Sequence, residues 1–164
     1  MVADMTLRFG ALRVPTTVHW PAVNALSLAL VLSDELPPTD QWLERSVVIA
    51  LAAMNSGQVE LAALQWVAEH SRELGTGCER ILVAGGARAA RLVLAARDSG
   101  WPVLWRQLLV HPKFTAEQPM PANVGGAPPA IVVCGAHQGD GRRYAGRLRA
   151  AGVQVREIGD DDRR

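Results

Sequence analysis

The chain has 164 residues, 49% apolar and 20% charged, with a formal net charge of +1. This composition suits one domain (1–164) around one sizeable core and excludes intrinsic disorder. The near-neutral balance excludes a strong surface field, so neither nucleic acid nor a membrane is expected as a partner. Cys78 and Cys134 are too few for a disulfide framework and form no CxxC or zinc spacing, which predicts a reducing compartment and no metal. Residues 1–13 lack a basic start followed by an apolar run, so no signal peptide is expected and the predicted location is cytoplasmic. The longest apolar stretch, 25–32, is interrupted by Ser27 and falls far short of the ~20 residues that span a bilayer.

In chain order, 6–14 alternates weakly and reads as an edge strand or arm. Residues 16–22 read as a second strand stopped by Pro21, and 25–32 as a strand or a short buried helix. Pro37 and Pro38 make 34–39 a loop. The run SVVIALAAM (46–54) fits a strand buried on both faces. A helix is predicted over 58–74, with Val59, Ala63, Trp66, Val67 and Leu74 on one stripe and Gly75 as its stop. RILVA (80–84) is the clearest buried strand. Gly85-Gly86 is a tight turn, and 87–98 is a helix with Ala89, Leu92, Val93 and Ala96 inward. A strand over 103–110 and a proline-rich surface loop over 113–129 follow. AIVVCG (130–135) is a buried strand. A helix over 140–151 turns Tyr144, Ala145 and Leu148 inward, with Asp140 as its N-cap. The last strand is 153–158, before a charged tail. From 58 onward helices and strands alternate, which predicts an α/β fold: a mostly parallel sheet with helices on both faces.

The stretch LQWVAEHSRELGTGCERILVAGGARAARLVLAARDSGWPVLWRQLLVHP (64–112) resembles the core of the hormone-sensitive-lipase-like carboxylesterases, an α/β-hydrolase family. The family's landmarks are WVAEH, a strand, the turn GDSAGG, a helix ending in ARD and a strand ending in YP. PPAIVVCGAHQGDGRRYAGRLRAAGVQV (128–155) continues the resemblance, which covers roughly half the chain and is poor before Gln58. It implies a reduced α/β-hydrolase fold with the loop 113–129 in place of a cap.

The family's chemistry needs a serine on the strand-to-helix turn. The matching turn is Gly85-Gly86-Ala87-Arg88-Ala89, so the nucleophile position is Ala87. The acid position matches Gln138, and no histidine follows the last strand, where Asp160-Asp161-Asp162 stand. The nearest candidate for the HGGG oxyanion loop is His19-Trp20-Pro21-Ala22, which lacks glycines and has a proline with no N–H. The expectation is a catalytically inactive, pseudo-esterase-like protein acting as a binding, regulatory or structural subunit. The alternative is an active esterase-like hydrolase with non-standard catalytic residues, or an anion-binding protein at the turn 85–91.

For that alternative, Gly85, Gly86, Arg88 and Arg91 could cradle an anion at a helix N-terminus, with His19 and His137 as further ligand-binding candidates. No dinucleotide fingerprint is present and no cofactor is expected. His70 and His111 read as framework residues. Cys134 reads as a small buried hydrophobe, although a Cys134–His137 pair is conceivable. Arg142, Arg143, Arg147 and Arg149 read as a solvated basic face. Trp66 reads as core. Trp20, Trp42, Trp101 and Trp105 fall near loops or element ends, where they could equally face a partner or fill the old pocket. An open edge on the last strand would invite strand addition, so a second protein chain is expected as partner, as a homodimer or with a related hydrolase.

Overall fold

The computed structural model describes residues 1–52, 56–75, 80–136 and 139–160. It opens with an antiparallel hairpin, β1 (Val2–Phe9) and β2 (Leu12–His19). The strand expected over 6–14 is therefore two strands. Gly10, at φ 60°, and Ala11 form the two-residue turn, and a glycine in first position is what such a turn demands. Pro15 lies inside β2, where the strand has run past the end of its other neighbour. That pairing begins only at Thr16, so the missing proline N–H leaves no ladder bond unmade.

Six parallel strands follow: β3 (Ser27–Leu32), β4 (Ser46–Leu51), β5 (Ile81–Gly85), β6 (Arg106–Val110), β7 (Ala130–Cys134) and β8 (Val155–Gly159). The eight strands form one sheet in the order β1-β2-β4-β3-β5-β6-β7-β8, in which β2 alone runs against the rest. Every residue of β3 and β4 is buried, which is why these stretches read as continuous apolar runs rather than alternating ones. Among the described residues β8 pairs only with β7. The strand expected from 103 begins at Arg106, and Val103 stands 81% exposed in the loop before it.

Three α-helices cross between parallel strands: α1 (Gly57–Glu69), α2 (Ala87–Ser99) and α3 (Gly139–Ala150). All three pack on the same face of the sheet, where the expectation had helices on both. Leu28, Leu30 and Leu32 of β3 share one core cluster with Ala63 and Val67 of α1, Leu92 of α2 and Leu148 of α3. Ala29 and Val31 point the other way, into a smaller cluster. There Leu36 and a short 3-10 helix, Gln41–Leu43, supply the cover through Trp42 and Leu43.

The α1 helix stops at Glu69 rather than at 74. His70 caps it, its ring Nδ1 donates to the Trp66 carbonyl at 2.8 Å, and its ring stacks on Trp66 at 4.1 Å. The turns that follow carry Leu74 back into the core. Asp140 lies in the first turn of α3 and not at its N-cap. Its carboxylate accepts from the Phe114 N–H at 3.0 Å and so ties the loop 113–129 to the helix.

Tyr144 on α3 is fully buried beside Phe114, and its hydroxyl has no hydrogen-bond partner among the described residues. Burial pushes its pKa up to about 12, against a smaller opposing pull from Arg97 and Arg147. A phenol held this way adds volume but no polar contact. Tyr144→Phe is therefore expected to leave the unfolding free energy unchanged or raise it by up to about 1 kcal/mol. Urea denaturation checks this, and a loss beyond about 1 kcal/mol would mean that the hydroxyl is bonded.

Candidate active site

The chain leaves β3 toward β4 on one side and returns to β5 on the other. The loops at the C-terminal ends of β3 and β5 therefore part in opposite directions. A parallel sheet opens its ligand crevice at such a switch point. Two turns meet there: Ser33-Asp34-Glu35-Leu36 after β3, and Gly85-Gly86-Ala87-Arg88 after β5.

The Glu35 carboxylate fills the crevice. Oε1 accepts from the Gly86 N–H at 3.0 Å and the Ala89 N–H at 3.1 Å, and Oε2 from the Arg88 N–H at 3.1 Å. These are first-turn amides of α2, which no intrahelical carbonyl can satisfy. The N-cap residue, Gly86, has no side chain to cap them, and the first turn holds no acid. The two glycines permit the approach, since a Cβ at Gly85 or Gly86 would sit 2.9 Å from a Glu35 oxygen. Small carboxylates and developing oxyanions seek amides of this kind. Here a side chain 51 residues upstream holds them.

Arg88 points out of the same turn and forms ion pairs with Asp34 and Glu60. Glu60 on α1 is 4% exposed, and burial raises its carboxyl pKa while Arg88 pulls it back down. Arg91 donates to the Pro119 carbonyl at 3.0 Å. A cavity of about 640 Å³ lies beside the turn, lined by Asp34, Glu60, Arg88, Arg91 and Glu117 among others. At the turn expected to cradle an anion, the Gly86 and Arg88 N–H groups and the Arg88 guanidinium are matched to carboxylates of the same chain.

One strand further along, Gly85 pairs in register with Leu109, and His111 follows directly on the last residue of β6, Val110. His111 has a φ of 45°, the one positive φ among described non-glycine residues, and it precedes Pro112. L residues rarely adopt this conformation, and it collects at functional sites. Its Nε2 is 2.8 Å from Asp160 Oδ1, just past β8, with Gly135 beneath. A carboxylate on Nε2 holds the proton there and leaves Nδ1 as the basic nitrogen. In sequence alone His111 reads as framework, and Asp160 stands in a segment without a histidine.

Cys134 is buried at 3% exposure. Burial, and then the charge of Glu157, push its thiol pKa up, so it is a poor nucleophile. His137 and Gln138 lie outside the described residues, as do Cys78 and Asp161-Asp162. Ala87 is buried at the start of α2, and its methyl group has no nucleophilic chemistry. The candidate oxyanion loop at His19–Ala22 is corrected. His19 pairs with Val48 on the antiparallel β2, and the segment after it runs toward the opposite edge of the sheet. There the Trp20 indole donates to the Leu74 carbonyl at 2.9 Å. The loop facing the turn 85–88 is the one after β3. Among the described residues no cluster of His, Cys, Asp and Glu could hold a metal ion, and no helix is long and apolar enough to cross a membrane.

No protein-family model matches the chain. It is 38% identical to Esterase LipI of Mycobacterium tuberculosis over 91 residues, which cover 53% of this chain and 28% of LipI. It is 31% identical to Carboxylesterase NlhH of the same organism over 218 residues, covering 89% of this chain and 68% of NlhH. The 218 aligned positions exceed the 164 residues of this chain, so NlhH carries internal segments with no counterpart here. In fold it is similar to the thermophilic carboxylesterase EstE1 from a metagenomic library, with a TM-score of 0.81 at 21% identity over 97% of this chain and 78% of that one. The Pyrobaculum calidifontis esterase gives a TM-score of 0.81 at 19% identity over 97% and 75%. These two likenesses carry the fold alone. The curated relatives are named as esterases, which overturns the expectation of a catalytically inactive subunit. With 31% identity across 68% of NlhH, and the eight-stranded sheet in place, the chain belongs to the hormone-sensitive-lipase-like carboxylesterase family of the α/β-hydrolase fold.

Proposed function

We propose that this chain hydrolyses carboxylic esters without a serine nucleophile, with His111 as general base. Family membership supports the reaction class. The observation that carries the residue assignment is the His111–Asp160 pair, 2.8 Å apart at the C-terminal edge of the sheet, one strand from the turn that holds Ala87. Asp160 fixes the ring, and Nδ1 takes a proton from a water as the water oxygen bonds to the ester carbonyl carbon. The tetrahedral intermediate expels the alcohol, which recovers that proton from His111. Ester and water thus become acid and alcohol, and the protein is unchanged. Because Glu35 occupies the amides that would stabilise an oxyanion, turnover is expected to be slow.

Direct attack by water forms no acyl-enzyme. A stopped-flow trace with p-nitrophenyl acetate is therefore expected to be linear from the start, with no burst of p-nitrophenol. Asp160→Asn should lower kcat/KM by about tenfold or more, with a smaller change in KM, because the ring loses its orientation. Cys134→Ala should leave the rate unchanged. A stoichiometric burst that disappears in Cys134→Ala would replace His111 with a thiol nucleophile.

A further inference from the structure

We propose that the segment 101–105, together with Arg80 and Arg106, is a docking surface for a segment of another protein that carries both acids and apolar side chains. The segment joins α2 to β6 and alternates in burial. Pro102 is buried and Leu104 is 9% exposed, whereas Trp101, Val103 and Trp105 face solvent at 40%, 81% and 36%. Such alternation normally turns polar side chains outward. Here the outward residues are two tryptophans and a valine. Large apolar side chains set side by side in water mark a contact surface, and tryptophan and arginine are the types that anchor one.

The charge around this stripe gives the partner's chemistry. The Arg106 guanidinium lies 4.5 Å from the Trp105 ring centroid, and that of Arg80 lies 5.2 Å from it. Stacking on an indole holds a guanidinium in place while its N–H edge stays open to a planar carboxylate. Among the described residues neither arginine has an ion pair, whereas Arg88, Arg97 and Arg149 are matched to acids of the chain. Arg106 also lines a cavity of about 250 Å³ with the exposed Arg156 of β8. A second cavity, of about 230 Å³, is lined by Val93 and Ala96 of α2 with Val103 and Leu104 among others. The first suits an acid and the second an apolar side chain. Arg80 directly precedes β5 and Arg106 opens β6, so the surface lies at the N-terminal ends of these strands. The crevice at Glu35 and His111 lies at the C-terminal ends, and docking leaves it open. A nucleic acid or an anionic membrane would meet the same arginines, but a formal net charge of +1 gives the chain no wider basic field to hold either.

The experiment is fluorescence anisotropy of a labelled peptide of Leu-Glu-Glu repeats, titrated with wild type, Val103→Glu, Trp105→Ala and Arg106→Ala. Wild type should bind it with a Kd of roughly 10–100 µM at low salt. Raising the ionic strength from about 0.05 to about 0.3 M should weaken binding several-fold. Each substitution should raise Kd about fivefold or more. Val103 is 81% exposed, so Val103→Glu keeps the fold and tests the surface even if Trp105→Ala does not. A peptide of Leu-Lys-Lys repeats should not bind. The proposal is overturned if wild type does not bind the acidic peptide. It is also overturned if Val103→Glu and Arg106→Ala bind it as tightly as wild type with unchanged circular dichroism. Tighter binding of an oligothymidylate or of phosphatidylserine vesicles, lost in the same variants, would overturn it in favour of a nucleic acid or a membrane.

Discussion

Arg88→Ala should destabilise the folded chain by about 3–5 kcal/mol at neutral pH, the range for removing one partner of a buried ion pair. The side chains of Arg88 and Glu60 are 15% and 6% exposed, so deleting the guanidinium strands Glu60 in the interior. The cost depends on pH, and its sign follows from the protonation states. Burial already raises the Glu60 pKa above 4.5, and Arg88 is what pulls it down. Without Arg88 the folded-state value rises further. The folded protein then holds a proton that the unfolded chain releases above about 4.5, so stability falls as pH rises through that window. The Arg88→Ala penalty should therefore shrink as pH is lowered toward 4.5. The double variant Arg88→Met/Glu60→Leu should return to within about 1–2 kcal/mol of wild type, because no charge is left buried. Urea denaturation at several pH values reads both effects. A penalty independent of pH would mean that Arg88 acts through packing alone.

Gly85→Ala should cost about 3 kcal/mol. The added methyl would meet Glu35 Oε1 at 2.9 Å and Ala89 Cβ at 3.0 Å, and the φ of 158° is one that side-chain-bearing residues rarely adopt. The glutamate can retreat only by giving up its bonds to Gly86 and Ala89, whereas Ala89 is fixed in α2. The two substitutions share a contact, so Glu35→Ala/Gly85→Ala should cost less than the sum of the single variants by about 1 kcal/mol or more. Strict additivity would mean that the carboxylate does not touch this turn.

Much of the parallel half of the fold was legible because a buried strand announces itself as a short apolar run, most plainly where glycine or proline bounds it. RILVA before Gly85-Gly86 and AIVVCG after Pro129 are the plainest cases. The inward faces of α2 and α3 followed from their helical period, and all the residues expected to face inward are buried. The hairpin at Gly10 was missed because Phe9 and Leu12 keep the apolar texture running through the turn. Gly10-Ala11 also lacks the asparagine or aspartate that usually marks one. The site was less legible for a different reason. Glu35 reaches Gly86 across 51 positions and His111 reaches Asp160 across 49, and no local pattern encodes such pairings. The available signal was position: each lies within a few residues of the C-terminal end of a parallel strand, where ligand chemistry collects. The loop after β3 carries none of the family's oxyanion glycines, so nothing in its sequence marks Glu35 as the residue that reaches the turn at Ala87.

The most direct test of the central claim is steady-state hydrolysis of p-nitrophenyl acetate by repurified wild type and His111→Gln, measured side by side. If His111 is the base, wild-type turnover survives repurification, and His111→Gln loses about 100-fold or more in kcat/KM while keeping its circular dichroism. Equal rates in the two proteins, or no wild-type rate above that of buffer, would contradict it.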